Sequence, residues 1–355
     1  MYKKIKIPEA VISIVMCVML IINAKGSADA AELALKRCLG VMIPSLFAFM
    51  AASEILVRSG GLRIISLPFG TVAKYIFKMP GELFSVMLIS NIAGFPVGAS
   101  MISQLVSQGR LSKRDASVLS CCCYGGGPSF AIGVIGLYLY GDKNVGLVIW
   151  ASAAAANLIM ALVLNRFYKL SIKEKTRTDN YSGIIIASAE KAGRNMLMIC
   201  GLIILFSVLL TNVGEVLGFL NRFSGSAANK DVPILLKSVF EISVITQLSA
   251  AKIGYIPILA AMFSFGGVCV LMQTVAASCK EYPLSPFFMS RIPALLITFI
   301  IAKLITPFFV SAETECFAAR GDAIVNINNF APSICLILMI FLLLFKKRVA
   351  FSKDI

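Results

Sequence analysis

The sequence predicts an all-α polytopic membrane protein made of two inverted repeats, with about eight transmembrane helices, two re-entrant hairpins and both termini cytoplasmic. Three observations predict it. Of 355 residues, 58% are hydrophobic and only 14% charged, and the mean hydropathy is +0.88, outside the range of soluble domains. Apolar stretches approaching the roughly 20 residues needed to cross a bilayer recur at 8–24, 39–57, 116–140, 145–164, 195–213, 256–278, 292–310 and 330–345. Finally, glycine and proline interrupt hydrophobic segments that have basic residues at their ends.

The first stretch follows Lys3, Lys4 and Lys6 and has the outline of a signal peptide. Lys25-Gly-Ser-Ala-Asp follows it instead of a clear small-residue cleavage site, so residues 1–30 are expected to hold an uncleaved transmembrane helix. The first repeat, 31–168, opens with a basic, amphipathic lead-in to a span. Within it, 83–108 is hydrophobic yet lies between Lys78 and Arg110, so it enters and leaves on the cytoplasmic side. At its centre, "AGFPVGA", Pro96 lacks a backbone donor and Gly94 and Gly98 permit non-helical angles. Two half-helices meeting at a turn are expected there. A second interruption, Gly125, Gly126, Gly127 and Pro128 after Tyr124, falls inside the stretch 116–140, where three glycines weaken a helix.

Residues 169–181, "KLSIKEKTRTDNY", are hydrophilic and read as a cytoplasmic linker. The second repeat, 182–310, repeats the plan. Its lead-in "AEKAGRNMLMICGLIILFS" loosely resembles "AELALKRCLGVMIPSLFAF" at Ala31, "VITQL" at Val244 matches "MISQL" at Met101, and "FGGVC" at Phe265 stands where the first half has "YGGGPSF". The segment 232–250, between Lys230 and Lys252, is expected to be a hairpin opening to the opposite face. Residues 311–355 supply an extracytoplasmic loop, the last span and a basic cytoplasmic tail.

The net charge of +15 is scattered among short loops, Lys280 and Arg291 among them, and marks topology instead of a nucleic-acid face. The ten cysteines show no metal-ligand spacing. Histidine is absent, which excludes His-ligated metals, a His general base and Ser-His or Cys-His nucleophiles. There is no GxxxxGK[ST] phosphate loop and no paired acids, so neither a cofactor nor an enzymatic activity is expected.

Polar residues beside the interruptions are the candidate solute contacts: Asn91, Ser103 and Gln104 in the first half, and Glu241, Ser243, Thr246 and Gln247 in the second. A carboxylate at such depth needs a partner or water, and Lys303, about 18 Å along a helix from Arg291, is either its partner or the counter-charge of a solute, or else a side chain that snorkels toward the outer interface. Asn157 is a further candidate for lining the path. Glu54 and Arg58, four residues apart, read as an interfacial ion pair.

In order and spacing, "GFPVGA", "GRLSKRDA", "GGGPSFAIGVIG", "FEIS" and "FGGVCVLMQ" resemble the sporulation integral membrane proteins of the YlbJ type, which carry Gate (nucleoside-recognition-like) repeats. The resemblance implies a transporter-like fold related to nucleoside carriers. It also implies passage of dipicolinic acid from the mother cell across the outer forespore membrane. Where that family usually has Cys followed by Asn, this chain has Cys123-Tyr124, so Tyr124 is the residue that would offer a hydroxyl in its stead. The partners expected are a small dipicolinate-like anion, the lipid bilayer, and further copies of the chain or sporulation membrane proteins, with no nucleic acid. The alternatives are a nucleoside-like or other small-molecule carrier and a non-transporting sporulation membrane scaffold.

Overall fold

The computed structural model describes residues 7–174, 181–224, 231–248, 252–278 and 280–310. The last apolar stretch, the basic tail and residues 175–180 of the linker lie outside these. Helices and short turns make up the described chain, with no strand among the described residues.

Helix α1 (Ile7–Ile22) ends at Asn23, whose side chain accepts from the Gly26 amide at 3.2 Å and starts α2 (Ala24–Arg37) at an angle of 100°. The expected first span is therefore one arm of a bent pair. A π-helical turn, Cys38–Met42, leads into α3 (Ile43–Ser59), which stops at Gly60 in the left-handed region. A short α4 (Leu62–Ser66) precedes the first hairpin.

That hairpin is α5 (Gly81–Ala93) and α6 (Val97–Ser107). At 1.5 Å per residue their lengths are about 20 and 16 Å, short of the roughly 30 Å hydrocarbon core. Its mouth is tied shut by charge. Arg110, just beyond α6, pairs with Glu82 at the start of α5, and Arg63 reaches the same carboxylate at 3.1 Å and Glu174 at 3.1 Å. These basic residues define one face of the bundle.

Next come α7 (Lys113–Ser120), N-capped by Ser112, a non-helical run over 121–128, a π-helical segment Ser129–Leu139, and α8 (Lys143–Phe167). After the long α9 (Tyr181–Ser224), α10 (Asp231–Ser238) and a 3₁₀ segment Ile242–Gln247 form the second hairpin, with extended backbone at Glu241 between them. A broken helix follows, α11 (Ile256–Phe265) and α12 (Gly267–Ala277), and then α13 (Ser285–Phe309), which like α8 is 25 residues long.

The two broken helices run in opposite directions. Ser117 of α7 hydrogen-bonds the Pro283 carbonyl in the loop after α12, whereas at the far end the Tyr140 hydroxyl donates to the Lys252 carbonyl ahead of α11 at 2.9 Å. Packing contacts exchange with the halves: α7 lies on α13 as α11 lies on α8, and α6 lies on α12 as the π-helical segment lies on the 3₁₀ segment.

Among the described residues, Lys143–Phe167, Gly183–Gly214, Ile253–Ala277 and Ser285–Phe309 are long and apolar enough to cross a membrane, and the bent N-terminal pair makes a fifth. Exposed Leu162, Val163, Leu197, Leu296, Ile300 and Phe308 on α8, α9 and α13 present apolar surface outward, as lipid requires. The chain is an integral membrane protein.

Candidate functional site

All four interruptions meet in one buried junction. Gly94 sits at φ +85°, and a Cβ there would stand 2.8 Å from the Gly127 amide nitrogen and 3.1 Å from its Cα. One turn on, a Cβ at Gly98 would collide with the Cys123 carbonyl oxygen. The first hairpin thus touches the 121–128 run backbone to backbone, which only glycine permits. From there the Tyr124 hydroxyl donates to the Phe265 carbonyl at 2.8 Å, and a Cβ at Gly266 would stand 2.5 Å from that hydroxyl. Gly267 in turn lies against the second hairpin, where its Cβ would be 3.0 Å from the Phe240 carbonyl oxygen and 3.3 Å from the Glu241 nitrogen.

The backbone groups released by these breaks are paired by protein. Asn157 of α8 donates through Nδ2 to the Tyr124 carbonyl and to Asn91 Oδ1, both at 2.7 Å. Asn91 itself donates to Met87 O at 2.8 Å, and Trp150 Nε1 donates to the Asn91 carbonyl at 3.1 Å. At the start of α12 the amides of Val268 and Cys269 donate to Val239 O (3.0 Å) and Phe240 O (2.8 Å). The half-helix N-terminus of α12 is therefore occupied by carbonyls of the second hairpin. Rings close the centre: Phe95 lies 4.3 Å from Tyr124, Tyr124 5.1 Å from Phe287, and Phe130 stacks on Phe263 at 6.3 Å. The breaks pack on one another. A cavity of about 260 Å³ lies elsewhere, on the basic face beside Lys113, Glu281 and Tyr282.

Arg291, assigned from the sequence to a loop, is in the second turn of α13 and 2% exposed. Its guanidinium carbon stands 4.6 Å from the Tyr124 ring centroid and 4.8 Å from that of Phe287. Nη2 donates to the Cys121 carbonyl and, at 2.9 Å, to Ser290 Oγ, while Nε reaches Phe287 O at 3.4 Å. Nη1 has no hydrogen-bond partner. The sequence did carry a signal for this: Ser285-Pro286 is a helix start with proline at its first turn, which sets Arg291 inside the helix.

The other predicted residues divide. Asn91, Gly94, Pro96, Gly98, Tyr124, Gly125, Gly126, Gly127 and Pro128 are at the junction or next to it, and the Phe95–Pro96 peptide is cis. Ser103 and Gln104 are buried on α6, and both amide atoms of Gln104 lack a hydrogen-bond partner. Glu241 is buried at the second break and accepts from the Ser243 hydroxyl, and Thr246 Oγ1 donates to Ser243 O at 2.9 Å. The Gln247 side chain lies outside the described residues. Lys303 is exposed on α13 and is not brought to Glu241. Its place beside exposed Leu304 suits a side chain that runs along lipid to the interface.

Glu54 also departs from expectation. It is fully buried, because α3 packs against α6 and α9 on that face. Its Oε1 accepts from Ser100 of the hairpin at 2.6 Å and pairs with Lys191 of α9 at 3.1 Å, and Asn195 donates to Ser100 at 3.1 Å. Among the described residues no group of three or more Cys, Asp or Glu side chains could hold a metal ion. The junction thus holds one buried guanidinium, with an unpartnered Nη1, between two aromatic rings.

The chain is similar to the sporulation integral membrane protein YlbJ of Bacillus subtilis (strain 168), with 22% identity over 307 residues that cover 76% of this chain and 75% of that protein. This agrees with the resemblance its motifs carry. No family model matches the chain, and no solved structure matches it.

Proposed function

We propose that this protein is a carrier for a small anionic solute, and that the solute is dipicolinate moved from the mother cell across the outer forespore membrane during sporulation. One observation carries the reading: four interruptions, two of them in broken helices that run in opposite directions, join in a single buried junction. Broken backbone inside a bilayer is tolerated only where protein or a wet cavity satisfies it, and paired broken elements from inverted repeats are how secondary transporters build a midplane site. The recurring element order supports two Gate-like repeats. The cluster of Arg63, Arg110 and Lys113 on one face supports a cytoplasmic assignment for that face. Glycine hinges and a close-packed centre fit a closed, solvent-excluding state of such a carrier. The name of the similar Bacillus protein supplies the sporulation context.

The same close packing favours a second reading, a sporulation membrane scaffold whose breaks only shape helix packing. Purified protein in liposomes, given labelled dipicolinate or uridine, separates the readings. Dipicolinate uptake above empty liposomes supports the proposal, and uridine uptake alone supports a nucleoside-like carrier. Failure with both, by protein shown to be folded, leaves the scaffold.

A further inference from the structure

We infer that Arg291 recognises the anion, its guanidinium serving as the counter-charge for a carboxylate borne on a flat ring. This rests on the carrier reading of the same junction and adds to it the residue and the chemistry. An ionised group in an apolar interior costs several kcal/mol unless it is paired, and arginine cannot escape by losing its proton. Yet the ion pairs of the described residues involve Glu32, Glu54, Glu82, Glu174 and Glu190, and none of them reaches Arg291. The phenol and benzene rings that flank it stabilise a cation by their faces but contribute no negative charge.

The hydrogen bonds of Arg291 show which part of it is free to act. Carbonyl and hydroxyl oxygens take Nε and Nη2 and fix the plane of the guanidinium. Nη1 remains, buried and unpartnered, on the edge that a carboxylate would engage. Tyr124 and Phe287 flank the guanidinium with ring surface, and Phe95 lies against Tyr124, which suits an aromatic acid better than a compact inorganic anion. The site as it stands is therefore short of one negative charge and one acceptor, and an aromatic carboxylate supplies both.

The test uses the full chain in detergent and in liposomes, with pyridine-2,6-dicarboxylate, its uncharged diamide and sulfate as probes. In detergent, the dicarboxylate is expected to raise the thermal midpoint of the unaltered protein, with the diamide and sulfate much weaker. Arg291→Gln is expected to weaken the apparent affinity for the dicarboxylate about ten- to hundredfold while the diamide response stays unchanged. Arg291→Lys keeps the charge without the planar fork and should fall between the two. If Arg291→Gln does not yield folded protein, the Lys variant carries the test, with at least about a tenfold loss expected. Equal responses to dicarboxylate and diamide, or to dicarboxylate and sulfate, overturn the inference, as does a variant that responds like the parent. Stabilisation without uptake into liposomes would leave Arg291 as an anion site and remove the carrier. Uptake that survives Arg291→Gln unchanged would do the reverse.

Discussion

The Tyr124 hydroxyl donates to the Phe265 carbonyl at 2.8 Å and so joins the broken helix of the first half to that of the second. The two residues belong to "YGGGPSF" and "FGGVC", the motifs matched between the two halves by sequence. Phe265 is the last residue of α11, so its carbonyl is one of those a helix end leaves without an internal partner.

Tyr124→Phe removes that donor and keeps the ring against Phe95 and Phe287. Leaving one buried carbonyl unpaired is expected to lower stability by about 1–3 kcal/mol. Thermal unfolding in detergent checks this, and an unchanged midpoint would mean the bond contributes nothing.

Gly98→Ala places a methyl group on the Cys123 carbonyl and the Ser90 side chain. Neither backbone can yield easily, so a loss of about 1–3 kcal/mol or a collapse in the yield of folded protein is expected. Gly201→Ala on α9 meets nothing within 4 Å and should be neutral or stabilising by up to about 1 kcal/mol. Comparing midpoints of the two variants separates close backbone contact from a general sensitivity of glycine positions.

Glu54→Gln leaves Lys191 without its carboxylate, and Lys191→Met leaves the fully buried Glu54 without its cation. Each single change is expected to lose up to about 3–5 kcal/mol. In the double variant the losses should not add, with a coupling of about 0.5–3 kcal/mol in a thermodynamic cycle. Additive losses would show that the two charges do not depend on each other.

Lys303→Ala should alter stability by less than about 0.5 kcal/mol and leave dicarboxylate binding at the parent's value, since the side chain is exposed and away from the junction. A strong binding defect in this variant, with Arg291→Gln silent, would exchange the roles assigned to the two residues.

The all-helical membrane class was legible in composition. Apolar runs, charge placement and the glycine and proline clusters are local properties, and each has a local consequence: a spanning helix, a cytoplasmic loop or a break in backbone hydrogen bonding. The first hairpin could be read in this way because Lys78 and Arg110 flank a stretch that Pro96 interrupts. The weak matches between the halves carried less weight in themselves, yet two of the matched motifs turn out to touch at Tyr124 and Phe265.

Arg291 and Lys303 show where such reading stops. Both are basic, both lie on α13, and at 100° per residue their twelve-residue spacing turns them about 120° apart around its axis. Composition therefore fixes the angle between them. It says nothing of which side faces α8 and α11 and which faces lipid, because that depends on packing partners outside the helix, α8 and Tyr124 among them more than a hundred residues away in the chain. Docking of α13 against those helices buries Arg291 beneath Tyr124 and leaves Lys303 outside, and it is this long-range packing that turns two similar charges into one candidate ligand contact and one surface residue.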